Sequence, residues 1–180
     1  MIVKDGTRAA ESIARVQQLF DRGAPLREPV DVNDVIQEMV VLLRGEATRY
    51  AVSIRTELTD DLSQVAGDRA QLKQVLMNLM INGIEAMNDG EGTRELTIKS
   101  QRAENGQIKV SVSDTGIGLP PLPVDRIFNA FFTTKPNGIG IGLSISRSII
   151  EEHGGHLWAT NSSRGANFHL TLPIEGEPHD

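Results

Sequence analysis

The spacing of apolar residues along the chain switches between a period of two and a period near 3.6, and each period predicts one kind of element. Alternation of apolar and polar residues predicts five strands, at residues 50–58, 95–101, 107–113, 157–160 and 168–172. Helical spacing predicts one helix that begins at Asp31, one that begins near Asp68 and one that ends at His153. Asp31 and Asp68 suit helix starts, because their carboxylates can accept hydrogen bonds from N–H groups of the first turn.

The first segment, residues 2–20, has a helical pattern in which apolar positions lie four and three residues apart. This spacing is typical of a helix that packs lengthwise against another helix. Two partners fit equally well: a helix outside this chain, or the chain's own globular domain. The stripe consists of Ile2, Gly6, Ala9, Ile13, Val16 and Phe20, and Gly23 and Pro25 end the helix.

The helix that begins near Asp68 carries a polar stripe on an otherwise apolar circumference. Five amide or carboxylate residues share an arc of about 80° on this helix: Gln71, Gln74, Asn78, Asn82 and Glu85. Solvated helix faces usually carry lysine, arginine and glutamate instead. We interpret the stripe as the polar floor of a cavity, the alternative being a buried helix with a narrow wet edge.

Asp114 follows directly on the predicted strand 107–113, and Gly116 and Gly118 come next. A carboxylate at a strand end can accept a hydrogen bond from the exocyclic amine of a purine. Glycine lets a flat group approach the main chain, because it has no Cβ atom. The same three residues also fit an ordinary turn, so the pattern by itself leaves both interpretations open.

Residues 119–141 form a long segment that contains four prolines. The segment exceeds the usual upper loop length of about 15 residues, which favours a functional lid over a simple connection. Phe128 and Phe132 are either anchors for this lid or plain core residues. Lys135 can reach a terminal phosphate, although a single loop lysine is often merely solvated.

The lid ends in Gly138, Gly140 and Gly142, which lead into the last predicted helix. Spaced glycines at a helix start expose backbone N–H groups at the positive end of the helix, where phosphate oxygens bind. The pattern is neither a Walker loop nor a dinucleotide-binding fingerprint.

Composition narrows the classes of function. The 180-residue chain has no cysteine, which excludes disulfides and thiolate metal sites, and its formal charge of -6 argues against a nucleic-acid surface. A nucleotide is still a suitable ligand, since backbone amides and a metal can bind phosphates. We find no apolar run of membrane-spanning length and no signal peptide. We therefore expect this chain to lie in the cytoplasm, even if another part of the parent protein is anchored in a membrane.

Four motifs, in this order, resemble the nucleotide-binding sequence boxes of sensor histidine kinases, which belong to the superfamily of gyrase, heat-shock chaperone and mismatch-repair ATPases. The resemblance covers about residues 27–174. It implies a two-layer α/β sandwich with a mixed sheet, the Bergerat ATP-binding fold. The motifs are Gln74-x-x-x-Asn78-Leu-x-x-Asn82-Gly, Asp114-x-Gly116-x-Gly118, Phe128-x-x-Phe131-Phe132-Thr-Thr-Lys135 and Gly138-x-Gly140-x-Gly142-Leu-Ser.

The resemblance implies ATP and Mg²⁺ as ligands and assigns roles to residues. Asp114 would bind the adenine amino group, Asn82 would ligate Mg²⁺, and Asn78 and Lys135 would act in catalysis. Glu85 stands where some relatives have a basic residue, so its role is open between a phosphate contact and a residue behind the metal. Further nucleotide contacts are implied at Gly116, Ile117, Gly118, Phe128, Thr133, Thr134, Gly138, Gly140, Ile141, Gly142 and Leu143.

The resemblance further implies a domain division and a reaction. Residues 1–24 would be the C-terminal helix of a dimerisation and phosphoacceptor hairpin, and residues 25–180 the ATP-binding catalytic domain. The parent would be a homodimeric two-component kinase that phosphorylates a histidine and has a response regulator as partner. None of the chain's four histidines lies in a suitable helix, so we interpret the chain as part of a longer protein. His153 is interpreted as a cation at a helix C-terminus.

Two other functions use the same pocket. One is an ATP-hydrolysing clamp, in which a glutamate at the position of Asn78 serves as general base for water; an amide cannot accept that proton. The other is a non-catalytic nucleotide-binding module.

Overall fold

The structure is a computed structural model, and it describes residues 26–135 and 138–176. The predicted helix at residues 2–20 and the domain boundary after residue 24 lie outside the described residues. In chain order the elements are β1 (Glu28–Val30), α1 (Val32–Arg49), β2 (Ser53–Leu58), β3 (Val65–Gly67), α2 (Arg69–Ala86), β4 (Glu95–Arg102), β5 (Ile108–Ser113), a 3-10 helix (Val124–Phe128), α3 (Gly142–Glu152), β6 (His156–Asn161) and β7 (Ala166–Leu172).

Five strands form one mixed sheet in the order β2-β4-β5-β7-β6, in which β2 pairs with β4 in parallel and all other pairs are antiparallel. The alternation of apolar and polar residues along the strands decides which face of the sheet the helices cover. In β5, Ile108, Val110 and Val112 are buried beneath the helices, whereas Lys109 and Ser111 point to the open face. The expected two-layer α/β sandwich with a mixed sheet is confirmed.

Both helix starts predicted from acidic caps are confirmed. The Asp31 carboxylate accepts hydrogen bonds from the N–H groups of Asn33 and Asp34, and the Asp68 carboxylate accepts one from Gln71 at 3.2 Å. Each such cap stabilises a helix by about 1 kcal/mol. The packing of α1, α2 and α3 on the sheet buries one apolar core. No helix in the described part of the chain combines the length and the apolar character that crossing a bilayer requires.

The strand predicted at residues 50–58 begins later, at Ser53, and this prediction was wrong at its start. The last turn of α1 reaches Arg49, and Ala51 then adopts a left-handed conformation with φ of 54°, which reverses the chain before pairing begins. The two-stranded sheet of β1 and β3 was missed altogether. Each of its strands has three residues, too few to show an alternating pattern.

His153 lies at the C-terminus of α3, as predicted, but its ring is held by hydrogen bonds at both nitrogens instead of serving as a cation there. Its buried ring donates from Nδ1 to the carbonyl of Ile149 at 2.7 Å and accepts at Nε2 from the N–H of Asp68 at 3.0 Å. A ring that donates with one nitrogen and accepts with the other is neutral. His153 therefore joins the end of α3 to the start of α2.

Candidate nucleotide site

Asp114 lies just beyond β5, and only 5% of it is exposed. Its Oδ1 atom accepts hydrogen bonds from the N–H groups of Gly116 at 2.9 Å and Ala166 at 3.3 Å. Oδ2 has no hydrogen-bond partner among the described residues. The carboxylate is thus fixed by the backbone through one oxygen and can offer the other to a ligand.

Burial raises the pKa of Asp114 above its ordinary value of 3.8, and the two backbone hydrogen bonds oppose this only in part. A buried carboxylate without a cationic partner costs stability. A perturbed group of this kind is a functional-site candidate when it faces a cleft.

Two glycines lie close to Asp114, and a side chain at either position would require its neighbours to move. A Cβ atom on Gly83, in the middle of α2, would lie 2.6 Å from Leu96 Cδ1 and 3.5 Å from the Cβ atom of Asp114. Gly165, with φ of 90°, contacts the backbone of Asp114 in the same way. Neither glycine was predicted as a site residue. The available signal was Gly83 itself, because glycine inside a helix costs about 1 kcal/mol and requires a reason.

The loop after Asp114 packs on the end of α2. The Cα atom of Gly116 lies against the carbonyl of Ala86, which also accepts a hydrogen bond from the N–H of Ile117 at 3.2 Å. Gly118 has φ of 79°, and the next N–H, that of Leu119, donates to Asn161 Oδ1 at 2.9 Å. The Ile117 side chain is 75% exposed. Ala86 and Asn161 support the loop and were not predicted.

The polar residues of the α2 stripe contact two different neighbours. Asn78 donates from Nδ2 to Ser146 Oγ of α3 at 3.1 Å. A Cβ atom on Gly142 would lie 2.6 Å from Asn78 Oδ1, so the glycine allows the start of α3 to approach Asn78. Asn82 and Glu85, one and two turns further along, face the lid. Gln71, near the helix start, has a buried Oε1 atom with no hydrogen-bond partner in the described part of the chain.

Lys135, which belongs to the lid, contacts two side chains of α2. Its Nζ atom donates to Asn82 Oδ1 at 2.9 Å and forms an ion pair with the Glu85 carboxylate. The backbone around Lys135 is set by Thr133, whose Oγ1 accepts from the N–H of Lys135 at 3.0 Å. The side chains of Lys135 and Glu85 are 42% and 36% exposed, so solvent reaches this contact.

Phe128 belongs to the core. It is buried, meets Phe168 edge-on with ring centroids 6.4 Å apart, and lies beneath the guanidinium group of Arg147 at 5.0 Å. The core interpretation is therefore confirmed for Phe128, and Phe132 is partly buried against the same core, whereas the role of both as lid anchors stays a prediction. Phe131 is 76% exposed and has φ of 67°, which is unusual for a bulky residue.

The lid glycines lead into the N-terminus of α3. Gly140, with φ of 74°, packs on the backbone of Phe131 and Phe132 and has no room for a side chain. No side chain caps α3, since Ile141 forms no capping hydrogen bond, so N–H groups of the first turn are left for a ligand. The other predicted contacts lie around this end: Thr133, Thr134 and Gly138 are exposed, and Ile141 and Leu143 are partly buried.

The residues around Asn82 and the N-terminus of α3 suit Mg²⁺ only together with a bound molecule that supplies further oxygen ligands. The described residues contain no group of three or more histidine, aspartate, glutamate or cysteine side chains that could hold a metal. Mg²⁺ commonly keeps several waters and binds one or two protein oxygens plus substrate phosphates. Asn82 Oδ1 already accepts from one cation, the Lys135 ammonium group.

Comparison with known proteins shows the family of the chain. Residues 67–176 match the family model described as histidine kinase-, DNA gyrase B-, and HSP90-like ATPase. The chain is 41% identical over 171 residues to the sensor protein FixL of Bradyrhizobium diazoefficiens, which covers 94% of the chain and 34% of FixL. It is 35% identical over 176 residues to the sensor histidine kinase TmoS of Ectopseudomonas mendocina, which covers 96% of the chain and 18% of TmoS. The chain thus spans about a third or less of these curated relatives.

Solved structures give the same result. The catalytic domain of histidine kinase ThkA, in a nucleotide-free form, has a TM-score of 0.73 and 34% identity, over 83% of this chain and 96% of that domain. ThkA in complex with the response regulator protein TrrA has a TM-score of 0.78 and 29% identity, over 96% of this chain and 49% of ThkA. The chain therefore belongs to the histidine kinase-, DNA gyrase B- and HSP90-like ATPase family, in which it corresponds to the catalytic and ATP-binding domain of a sensor histidine kinase.

Proposed function

We propose that this chain binds Mg-ATP and transfers the γ-phosphoryl group to a histidine on a dimerisation helix that the described residues do not include. The observation that carries the proposal is the amide of Asn78. It stands on α2 beside the start of α3 and is tied to Ser146, where a hydrolytic relative would need a carboxylate to deprotonate water.

Asp114 selects the base in this proposal. Its Oδ2 accepts a hydrogen bond from the adenine amino group, while the N–H groups of Gly116 and Ala166 keep Oδ1 in place. Guanine carries a carbonyl at the corresponding position, which a carboxylate repels. Because the carboxylate is buried, an unmatched base would leave it without a partner, and such penalties give strong discrimination.

The phosphate end combines three kinds of group. The first-turn N–H groups of α3 bind phosphate oxygens, the Lys135 ammonium group neutralises charge at the terminal phosphate, and Asn82 Oδ1 holds the metal. Asn82 would hold Mg²⁺, which would supply neutralisation of phosphate charge when bound. Asn78 holds α3 at the correct distance from α2, so that the phosphate site stays aligned with Asn82.

The parent protein would act as a homodimer in the cytoplasm and pass the phosphoryl group to a response regulator. The support for the regulator is the structure of the similar kinase ThkA in complex with the response regulator TrrA. The support for the dimer is the apolar stripe between Ile2 and Phe20, whose spacing is typical of helices that pack together.

Radiolabelled ATP distinguishes the candidate functions. The chain is incubated with γ-labelled ATP and Mg²⁺, first alone and then with the histidine-bearing dimerisation hairpin of its parent protein. We expect little label on the chain alone and acid-labile label on the hairpin in the mixture. Rapid release of free phosphate by the chain alone would instead assign it to the hydrolytic clamps, and tight binding without transfer or hydrolysis would make it a nucleotide-binding module.

A further inference from the structure

The contact between the lid and α2 is made by one cation and two oxygen-bearing side chains. Lys135 Nζ lies between Asn82 Oδ1, at 2.9 Å, and the Glu85 carboxylate. Asn82 and Glu85 are three residues apart in α2, so they project from the same helix face. Both side chains therefore contact the Lys135 ammonium group.

This contact uses Asn82 Oδ1, the oxygen atom that the proposed function assigns to the metal. A magnesium ion lies about 2.0–2.1 Å from its oxygen ligands. An ammonium group that stays at 2.9 Å from the same Asn82 oxygen would therefore remain within a few ångströms of the doubly charged ion. At such separations two cations repel each other strongly, even near the protein surface. Lys135 and Mg²⁺ are thus alternative occupants of Asn82.

We propose that Glu85 is a positioning residue that holds Lys135 at Asn82, and that Mg-ATP exchanges Lys135 from Asn82 to the phosphates. The inference rests on the proposed function, since it takes Asn82 as the metal ligand. It gives Glu85 a role that differs from a direct phosphate contact or support of the metal. Nucleotide binding then replaces one set of charge contacts of Lys135 with another.

Chemical labelling of Lys135 tests the first half of the proposal without nucleotide. The rate of acetylation of the Lys135 amine is measured by mass spectrometry in the unmodified chain and in the Glu85→Gln variant. Removal of the carboxylate should raise this rate about two- to fivefold, as expected for loss of a partly exposed ion pair. Equal rates in the two proteins would overturn the proposal.

The chain offers a control of similar exposure in Lys73 and Glu38, whose carboxylate also pairs with Arg69. Their ion pair, with Nζ to Oε2 at 2.6 Å, joins α2 to α1 away from the site, and its side chains are 36% and 42% exposed. Glu38→Gln should raise acetylation of Lys73 and leave Lys135 unchanged. A parallel rise at Lys135 would mean that the measurement reports general loosening, and the proposal would fall.

Saturating Mg-ATP tests the exchange itself. With nucleotide bound, Lys135 contacts phosphate in both proteins, so the ratio of its acetylation rates between Glu85→Gln and the unmodified chain should fall to about one. The Lys73 ratio in the control variant should stay as it was. A Lys135 ratio that does not change with Mg-ATP would show that Glu85 keeps the lysine throughout, and would overturn the exchange.

Calorimetry separates this inference from the proposed function. Glu85→Gln should bind Mg-ATP as tightly as the unmodified chain or up to about fivefold more tightly, since the competing contact is gone. Binding weakened tenfold would assign Glu85 to the nucleotide or metal and reject the positioning role. Absence of Mg-ATP binding by the unmodified chain would instead reject the proposed function, whatever the labelling without nucleotide gives.

Discussion

The two ends of the nucleotide site are built in opposite ways. At the proposed adenine end the carboxylate of Asp114 is buried, held by backbone N–H groups and close to Gly83 and Gly165. At the phosphate end Lys135 and Glu85 are partly exposed and meet through side chains alone. Fixed backbone contacts lower the entropy cost of selecting the base, while side-chain contacts can be exchanged when the ligand arrives. Selectivity is thus preorganised, and the charged end is adjustable.

The largest expected effect lies at the adjustable end. Asn82→Ala removes the amide oxygen proposed for the metal, and we expect phosphoryl transfer to the histidine-bearing hairpin to fall at least about a hundredfold. ATP without Mg²⁺ should bind this variant as it binds the unmodified chain, measured by calorimetry in the presence of a chelator. Transfer at the normal rate with ordinary Mg²⁺ concentrations would contradict the assignment of Asn82.

At the fixed end, Asp114→Ala removes the hydrogen bond to the adenine amino group. A hydrogen bond to a charged group contributes about 1.5–3 kcal/mol, so ATP affinity should fall about 10- to 150-fold. The preference for ATP over GTP should disappear at the same time, because the carboxylate supplies it. Unchanged affinity in calorimetry would reject Asp114 as the adenine contact.

Asp114→Asn separates stability from binding at the same position. Folding raises the pKa of Asp114 above 3.8, so the stability contributed by this carboxyl is fully present below that pH and is lost as pH rises through the folded pKa. The asparagine variant should therefore unfold at a higher temperature than the unmodified chain at neutral pH and show a smaller advantage at about pH 4. It should also lose ATP affinity, since its amide can present donors to the adenine amino group. A lower unfolding temperature at neutral pH would show that burial of the charge costs nothing.

The smallest effect is expected outside both ends, at His169 on the open face of the sheet. Its Nδ1 and Nε2 atoms contact the hydroxyl groups of Ser111, at 2.8 Å, and Thr160, at 3.0 Å, and its ring packs on Trp158. Burial and, second, the charge of Lys109 lower the pKa of His169 from 6.5. Its contribution to stability is therefore present above that pH and is lost as pH falls through the folded pKa.

His169→Gln tests this remote position. The variant should lose less stability than the unmodified chain when pH is lowered from neutral to about 5, as followed by thermal unfolding. Its ATP affinity at neutral pH should not change, because the residue contacts neither end of the site. An affinity loss as large as that of Asp114→Ala would mean that the open face is coupled to the nucleotide site.

Patterns among residues close together in the sequence determined the main helices and strands of the fold. The caps at Asp31 and Asp68 and the alternation in β5 depend on residues within a few positions of each other, so they can be read without the tertiary structure. The motifs were enough to identify the family. The short strands β1 and β3 carry no such pattern and become strands only because they pair with each other.

Tertiary structure alone decided how the site residues are held. Asp114 was predicted as a ligand group, but its backbone partner Ala166 is 52 positions away and is delivered by the register of β5 and β7. His153 became a neutral bridge because the fold brings the N–H of Asp68 to its ring. The ion pair that underlies the role proposed for Glu85 joins it to Lys135, 50 positions away. The sequence by itself determined which chemical groups this protein has and on which elements they lie, whereas burial, hydrogen-bond partners and charge pairing depend on contacts between residues far apart in the chain.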